Sequence, residues 1–240
     1  IFIHYLITFI NSFYIIFIMK NLTLLIPAKN ESESLPIVLD EIQNLNCEKK
    51  IILNANDTET IASIVRKDVK IIHQQSMGYG DALITGIKNT TTEYFCIFNA
   101  DGSFNPSELP GMIDLLENSN SDFVFASRYQ ENSGSEDDTL ITLTGNKIFT
   151  FCGKLFFRLP ITDILYTFVL GKTNNAKQLN LKQKDFTLCV ELPIKIKKAN
   201  MKMISINSYE RKRIGGIKKV NAFKDGFLIL VHMIKLFFLK

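Results

Sequence analysis

The chain has 240 residues, 46% of them hydrophobic, and a formal net charge of +4. That length and apolar content suit one large domain with a substantial core, and the mild charge, with no binding signature beside it, argues against a nucleic-acid partner. Cys47, Cys96, Cys152 and Cys189 lie far apart without a CxxC pair, and His4, His73 and His232 are equally scattered, a pattern that speaks against a zinc site or disulfide framework and fits a reducing cytosol.

Residues 1–18 carry no charge and are rich in Ile and Phe. As a helix they reach about 27 Å, just short of a comfortable membrane span. There is no basic n-region and no A-x-A cleavage site, so a secretory signal is not expected. Two readings stand: a membrane segment, or an upstream extension of the reading frame before Met19-Lys20-Asn21-Leu22.

From there apolar runs alternate with helical patterns. Residues 22–26 (LTLLI), ended by Pro27, read as a buried strand. Residues 30–34 offer caps for a helix to about Leu45. Further strands are predicted at 51–53, 69–72, 94–98 and 123–126. Helices are predicted at 60–65, 81–88 and from Pro106 to 117. This alternation predicts an α/β fold: an open, mostly parallel sheet with helices on both faces, whose ligands bind at the carboxyl ends of the strands. Residues 27–31, 54–57, 99–103 and 127–128 fall at those ends. Residues 130–138 are polar and read as a mobile loop. Helices at 140–158 and 187–199 follow, then a strand at 203–206 and a basic stretch from Arg211 to Lys219. Residues 227–239 are apolar except for His232 and Lys235, too short to span a bilayer. They predict a helix lying in a membrane interface, with Lys224, Lys235 and Lys240 near headgroups.

Gly78-x-Gly80 lacks the third glycine of a dinucleotide fingerprint, since Leu83 stands there, and no GxxxxGK[ST] exists. Asp101, just past a buried strand and followed by Gly102 and Ser103, has two readings. It is a turn aspartate, or it holds a divalent metal, which needs only one or two carboxylates when substrate phosphates complete the shell.

Context bears on that choice. The segments Leu25-Ile26-Pro27-Ala28-Lys29-Asn30-Glu31, Gly78-Tyr79-Gly80-Asp81-Ala82 with Gly86, and Asn99-Ala100-Asp101-Gly102-Ser103 come in order. Ala126-Ser127-Arg128-Tyr129, Ile161-Thr162-Asp163 with Phe168, and Arg213-x-x-Gly216-x-x-Lys219 follow. Together they resemble family 2 glycosyltransferases of the GT-A nucleotide-diphospho-sugar transferase fold, especially the polyprenyl- and dolichyl-phosphate sugar synthase branch. The resemblance spans about residues 21–230. It implies a glycosyltransferase domain over residues 19–220, with residues 1–18 and an interfacial helix at 221–240 outside it.

What the resemblance implies for the site is specific. Pro27, Ala28, Asn30, Glu31, Asn54, Gly80, Asn99, Ala100 and Asp101 would bind the donor, a nucleoside-diphosphate sugar. Asp101 and Ser103 would hold Mg²⁺ or Mn²⁺. Arg128, Arg213 and Lys219 would stabilise the leaving diphosphate, and Asp163 would orient the acceptor. That acceptor is expected to be a polyprenyl phosphate or other lipid-linked phosphate, with the enzyme on the cytoplasmic face of a membrane. The sequence also departs from the family pattern. Asn54 and Asn99 stand where carboxylates are expected, Thr167 replaces a glycine and Lys218 a serine. Asparagine hydrogen-bonds without charge, so weaker metal binding is expected. The alternatives are a non-catalytic nucleotide-sugar-binding or scaffold relative at the membrane, and transfer to a polysaccharide hydroxyl. A sugar-phosphate nucleotidyltransferase is disfavoured, because residues 27–31 contain neither glycine nor arginine.

Overall fold

The computed structural model describes residues 19–215 and 221–238. Residues 1–18 and Lys219, both of which carried expectations, lie outside the described residues. Seven strands form one sheet: β1 (Leu22–Pro27), β2 (Glu48–Leu53), β3 (Lys70–His73), β4 (Tyr94–Ile97), β5 (Phe123–Ser127), β7 (Val169–Lys172) and β8 (Met203–Asn207). Their order is β3-β2-β1-β4-β7-β5-β8, and all run parallel except β7, which pairs antiparallel with both β4 and β5. A two-stranded ribbon joins β6 (Gly134–Ser135) to β9 (Tyr209–Glu210).

The central strands are apolar on both faces because helices cover both. Leu22, Leu24 and Ile26 pack into one buried cluster and Leu25 into the other, as a parallel sheet buried on two sides requires. The first cluster receives α1 (Leu35–Glu41) and α4 (Leu109–Asn118). The second receives α3 (Tyr79–Lys88), α6 (Thr173–Gln178) and α7 (Leu188–Lys198). A short helix α2 (Thr58–Ser63) is capped by the Asp57 side chain on Thr60 N. Helix α5 (Leu140–Phe157) opens with a capping box built from Thr139 and Thr142.

Two expectations are corrected, and some elements were not foreseen. Strand β2 begins at Glu48, before the predicted residue 51. Lys49 and Lys50 lie buried within it, and the Lys50 ammonium reaches Asn89 O (2.7 Å) and Glu48 (2.8 Å) while its stem stays apolar. Strand β7 and helix α6 had no prediction. The stretch 130–138, read as a mobile loop, instead carries β6 and is pinned at its end by Arg128 and Arg213.

The last helix, α8 (Ala222–Phe238), buries Ile229, Met233 and Leu236 in the second cluster, against α5 and α7. Its opposite face leaves Phe223, Phe227, Leu230, Ile234 and Phe237 exposed. Among the described residues, no helix is long and apolar enough to cross a membrane.

Candidate active site

The parallel strands deliver their carboxyl ends to one edge, and a cavity of about 540 Å³ opens there. Residues 27–31 follow β1, Asn54 and Asp57 follow β2, residues 99–101 follow β4 and Arg128 follows β5. Because β7 runs the other way, Leu165, Tyr166 and Thr167 meet the same edge just before it begins. Of the expected site residues, Pro27, Ala28, Asn30, Glu31, Asn54, Asn99, Ala100, Asp101, Arg128 and Arg213 line the cavity.

Asp101 is held by its own loop. One carboxylate oxygen, Oδ1, accepts Ser103 N (3.0 Å) and Ser103 Oγ (2.7 Å). The other, Oδ2, lies 3.7 Å from the Arg213 guanidinium. Ser103 is corrected from the expected metal ligand: it is 2% exposed, does not line the cavity, and spends its hydroxyl on Asp101. The chain from Arg211 to Gly215 folds over this loop. Arg211 N donates to Ser103 O and Ile214 N to Asp101 O. Gly102, at φ +80°, has no room for a Cβ because the Ile214 side chain would lie 2.4 Å away.

The arginines are already engaged. Arg128 gives Nε and Nη2 to Asp163 (2.8 and 3.2 Å), and Nη1 to Glu210 (3.0 Å) and Asp138 (3.5 Å). Its guanidinium also sits 4.6 Å from the Tyr166 ring centroid. Burial disfavours its charge, but Asp163 and Glu210 together outweigh that and hold the guanidinium firmly protonated. Burial likewise pushes the Glu210 carboxyl above its ordinary range, against the pull of Arg128. Arg213 makes a two-point contact with Asp137 (3.1 and 3.0 Å), and Arg211 pairs with Glu41. Both described arginines of the basic stretch are therefore held by carboxylates.

Asp163 also differs from expectation. It is fully buried, off the cavity, and its oxygens accept from Arg128 N, Nε and Nη2, Asn146 Nδ2 (2.7 Å) and Tyr166 N. It fixes Arg128 from outside the cavity. Gly80 lies beneath the chain at 183–185, where an added Cβ would meet Gln183 O at 2.2 Å. Glu191 pins that segment by accepting Lys182 N and Gln183 N, and pairs with Lys195 at 2.8 Å. Sequence reasoning missed Tyr79, Asp137, Asp138, Asn146, Phe186 and Glu210, all on the cavity.

The cavity suits a cation completed by a ligand. Among the described residues no three metal-ligating side chains cluster, so the protein offers chiefly Asp101 Oδ2, the oxygen not taken up by Ser103. One carboxylate is enough for Mg²⁺ when phosphate oxygens and waters supply the rest, and that donor set fits.

A parallel sheet covered on both faces, with a cleft at its carboxyl edge, Asp101 in that cleft and one reversed strand, has the architecture of the GT-A sugar transferases. The family model "Glycosyl transferase family 2" matches residues 23–179, and the chain belongs to that family. It is therefore a glycosyltransferase. An uncharacterized glycosyltransferase of Mycobacterium tuberculosis is 24% identical over 210 residues, covering 87% of this chain and 94% of that one. A UDP-N-acetylglucosamine–dolichyl-phosphate N-acetylglucosaminyltransferase of Methanococcus voltae is 25% identical over 166 residues, 60% of this chain and 66% of that one. Among solved structures, glucosyl-3-phosphoglycerate synthase from Mycobacterium tuberculosis, in complex with Mn²⁺, UDP and phosphoglyceric acid, superposes with TM-score 0.70 at 12% identity. It covers 91% of this chain and 79% of that one, a likeness of fold.

Proposed function

We propose that the enzyme moves a sugar from a nucleoside-diphosphate sugar to a lipid-linked phosphate at a membrane surface. The donor half rests on the cleft, where Asn30, Asn54 and Asn99 offer neutral hydrogen-bonding groups for a nucleoside beside the Asp101 carboxylate. A Mg²⁺ or Mn²⁺ ion on Asp101 would neutralise the diphosphate as it leaves. Asp137 gives up part of its hold on Arg213 when a more highly charged diphosphate arrives, and the guanidinium then faces that leaving group. Asp163 and Glu210 keep Arg128 rigid on the other wall.

The acceptor half rests on one observation. Thr142 and Asn146 of α5 line the cavity, while Leu140, Ile141, Ile148 and Phe151 of the same helix are exposed. An apolar surface thus begins at the edge of the cleft, where it brings the head of a lipid to the reacting atoms. A phosphate monoester is already largely anionic near neutral pH, with a second pKa of about 6, so it needs orientation more than a base. The dolichyl-phosphate relative supports this acceptor class. The test is transfer from UDP-sugars with Mn²⁺ to polyprenyl phosphate and to 3-phosphoglycerate, side by side. Transfer to polyprenyl phosphate is expected, and transfer confined to 3-phosphoglycerate would overturn the lipid reading.

A further inference from the structure

Two departures from the family pattern, Asn99 and Thr167, meet on one hydroxyl. Tyr79 stands between Gly78 and Gly80 at the start of α3. Gly78 has φ +119°, and the chain at 183–185 presses so close that a Cβ there would meet Lys184 O at 2.1 Å. This tight turn sends the Tyr79 ring into the cleft, where it stacks on Phe186 with centroids 5.1 Å apart. The Tyr79 hydroxyl lies 2.6 Å from Thr167 Oγ1 and 3.3 Å from Asn99 Oδ1. The second contact is long for an O–H···O bond. Asn99 Nδ2 makes no hydrogen bond within the described residues, and Asn99 lines the cavity.

With the Asn99 oxygen turned toward Tyr79, proton counting fixes the direction. A phenol carries one proton and a threonine hydroxyl one. If Tyr79 gave its proton to Thr167, its oxygen would face the Asn99 oxygen, acceptor against acceptor. The consistent order is Thr167 O–H to Tyr79 O, and Tyr79 O–H to Asn99 Oδ1. Burial raises the Tyr79 phenol pKa, so it keeps the proton that it donates.

We propose that Thr167 and Tyr79 form a positioning relay that holds the Asn99 oxygen inward and presents its NH₂ to the cavity, as a donor to oxygens of a bound nucleoside diphosphate. This rests on the donor reading above and goes further. Asn99 is then a neutral N–H donor to the nucleotide rather than a weakened metal ligand, and Asp101 alone of that loop serves the cation. A carboxylate at 99 has no proton to offer there.

Two measurements decide it. In the ligand-free protein, the Asn99 side-chain amide signals, assigned by their loss in Asn99→Ser, are expected to shift in Tyr79→Phe and Thr167→Val. Tyr79→Phe keeps the ring on Phe186, so its fold survives. Unmoved signals in both variants would overturn the relay. Calorimetry with UDP and Mn²⁺ then gives its consequence. Asn99→Ser and Tyr79→Phe should each weaken UDP binding roughly tenfold, the loss of one hydrogen bond to a charged group. The double variant should be no worse than either single, with half-saturating Mn²⁺ unchanged. An Asn99→Asp protein that binds Mn²⁺ more tightly and keeps its UDP affinity would refute the assignment. A wild type that binds no nucleoside diphosphate would sink the donor reading instead, while the amide signals still judge the relay.

Discussion

At Asp101, Ser103 takes up one carboxylate oxygen through two hydrogen bonds and leaves Oδ2 for the cavity. Asp101→Ala is therefore expected to abolish transfer without disturbing the fold. Turnover and circular dichroism measured together check this, and more than a tenth of wild-type activity would remove Asp101 from its role. Asp163 has a different character. Its loss takes from a buried guanidinium the countercharge that holds Nε and Nη2, leaving only Glu210 and Asp138 on Nη1, and breaking such a pair costs about 3 kcal/mol or more. Asp163→Asn should therefore shift the urea midpoint strongly downward and lower activity only through Arg128. An unchanged midpoint would contradict the geometry. The sequence marked Asp163 because of the motif around it, yet a motif reports position and not partner. Whether a carboxylate faces a ligand or an arginine is settled by residues far along the chain, here Arg128 and Asn146.

Elements repeat this division between local and distant causes. The parallel strands were legible because each is an apolar run bounded by turn residues, and the cleft was legible because such sheets bind at their carboxyl edge. Strand β7 was not. Val169-Leu170-Gly171-Lys172 is short, and its glycine, which looks like a breaker, is there because the Phe123 ring would lie 2.4 Å from a Cβ. The loop at 130–138 read as mobile from its polarity. Its order comes from pairings of Asp137 with Arg213, Asp138 with Arg128, and Ser135 with Glu210. The turn at Gly78-x-Gly80 gives a prediction at this scale. Gly80→Ala forces the backbone at 183–185 outward, and with it Phe186 on the cavity wall. Overpacking of this kind costs about 1–3 kcal/mol, so thermal stability and nucleotide affinity should fall together. Glu191→Gln, which loosens the same segment from its anchor, should weaken affinity in the same direction. Normal affinity in both variants would mean the segment does not shape the site.

Among the described residues a polar cleft lies beside an apolar flank, and α5 belongs to both. Along α5 the exposed residues Ile141, Ile148, Phe151 and Leu155 recur at helical spacing, and Phe223, Phe227, Leu230, Ile234 and Phe237 do so on the neighbouring α8. The two helices carry exposed Lys147, Lys154, Lys224 and Lys235 against a single acidic residue, Asp225. Apolar ridges studded with cations suit an anionic bilayer surface. Removing α8 would be a poor test, because Ile229, Met233 and Leu236 are core. Charges placed on the outer face leave that core intact. The double variant Phe151→Glu with Phe227→Glu is expected to float markedly less with phosphatidylglycerol vesicles than wild type, at unchanged circular dichroism. It should lose transfer to polyprenyl phosphate in vesicles while keeping its affinity for UDP. Raising the salt concentration should weaken wild-type flotation only in part, since screening removes the attraction of the lysines but not the burial of the phenylalanines. Equal flotation of the two proteins, or a wild type that instead forms a dimer through this face, would show that the flank meets something other than lipid.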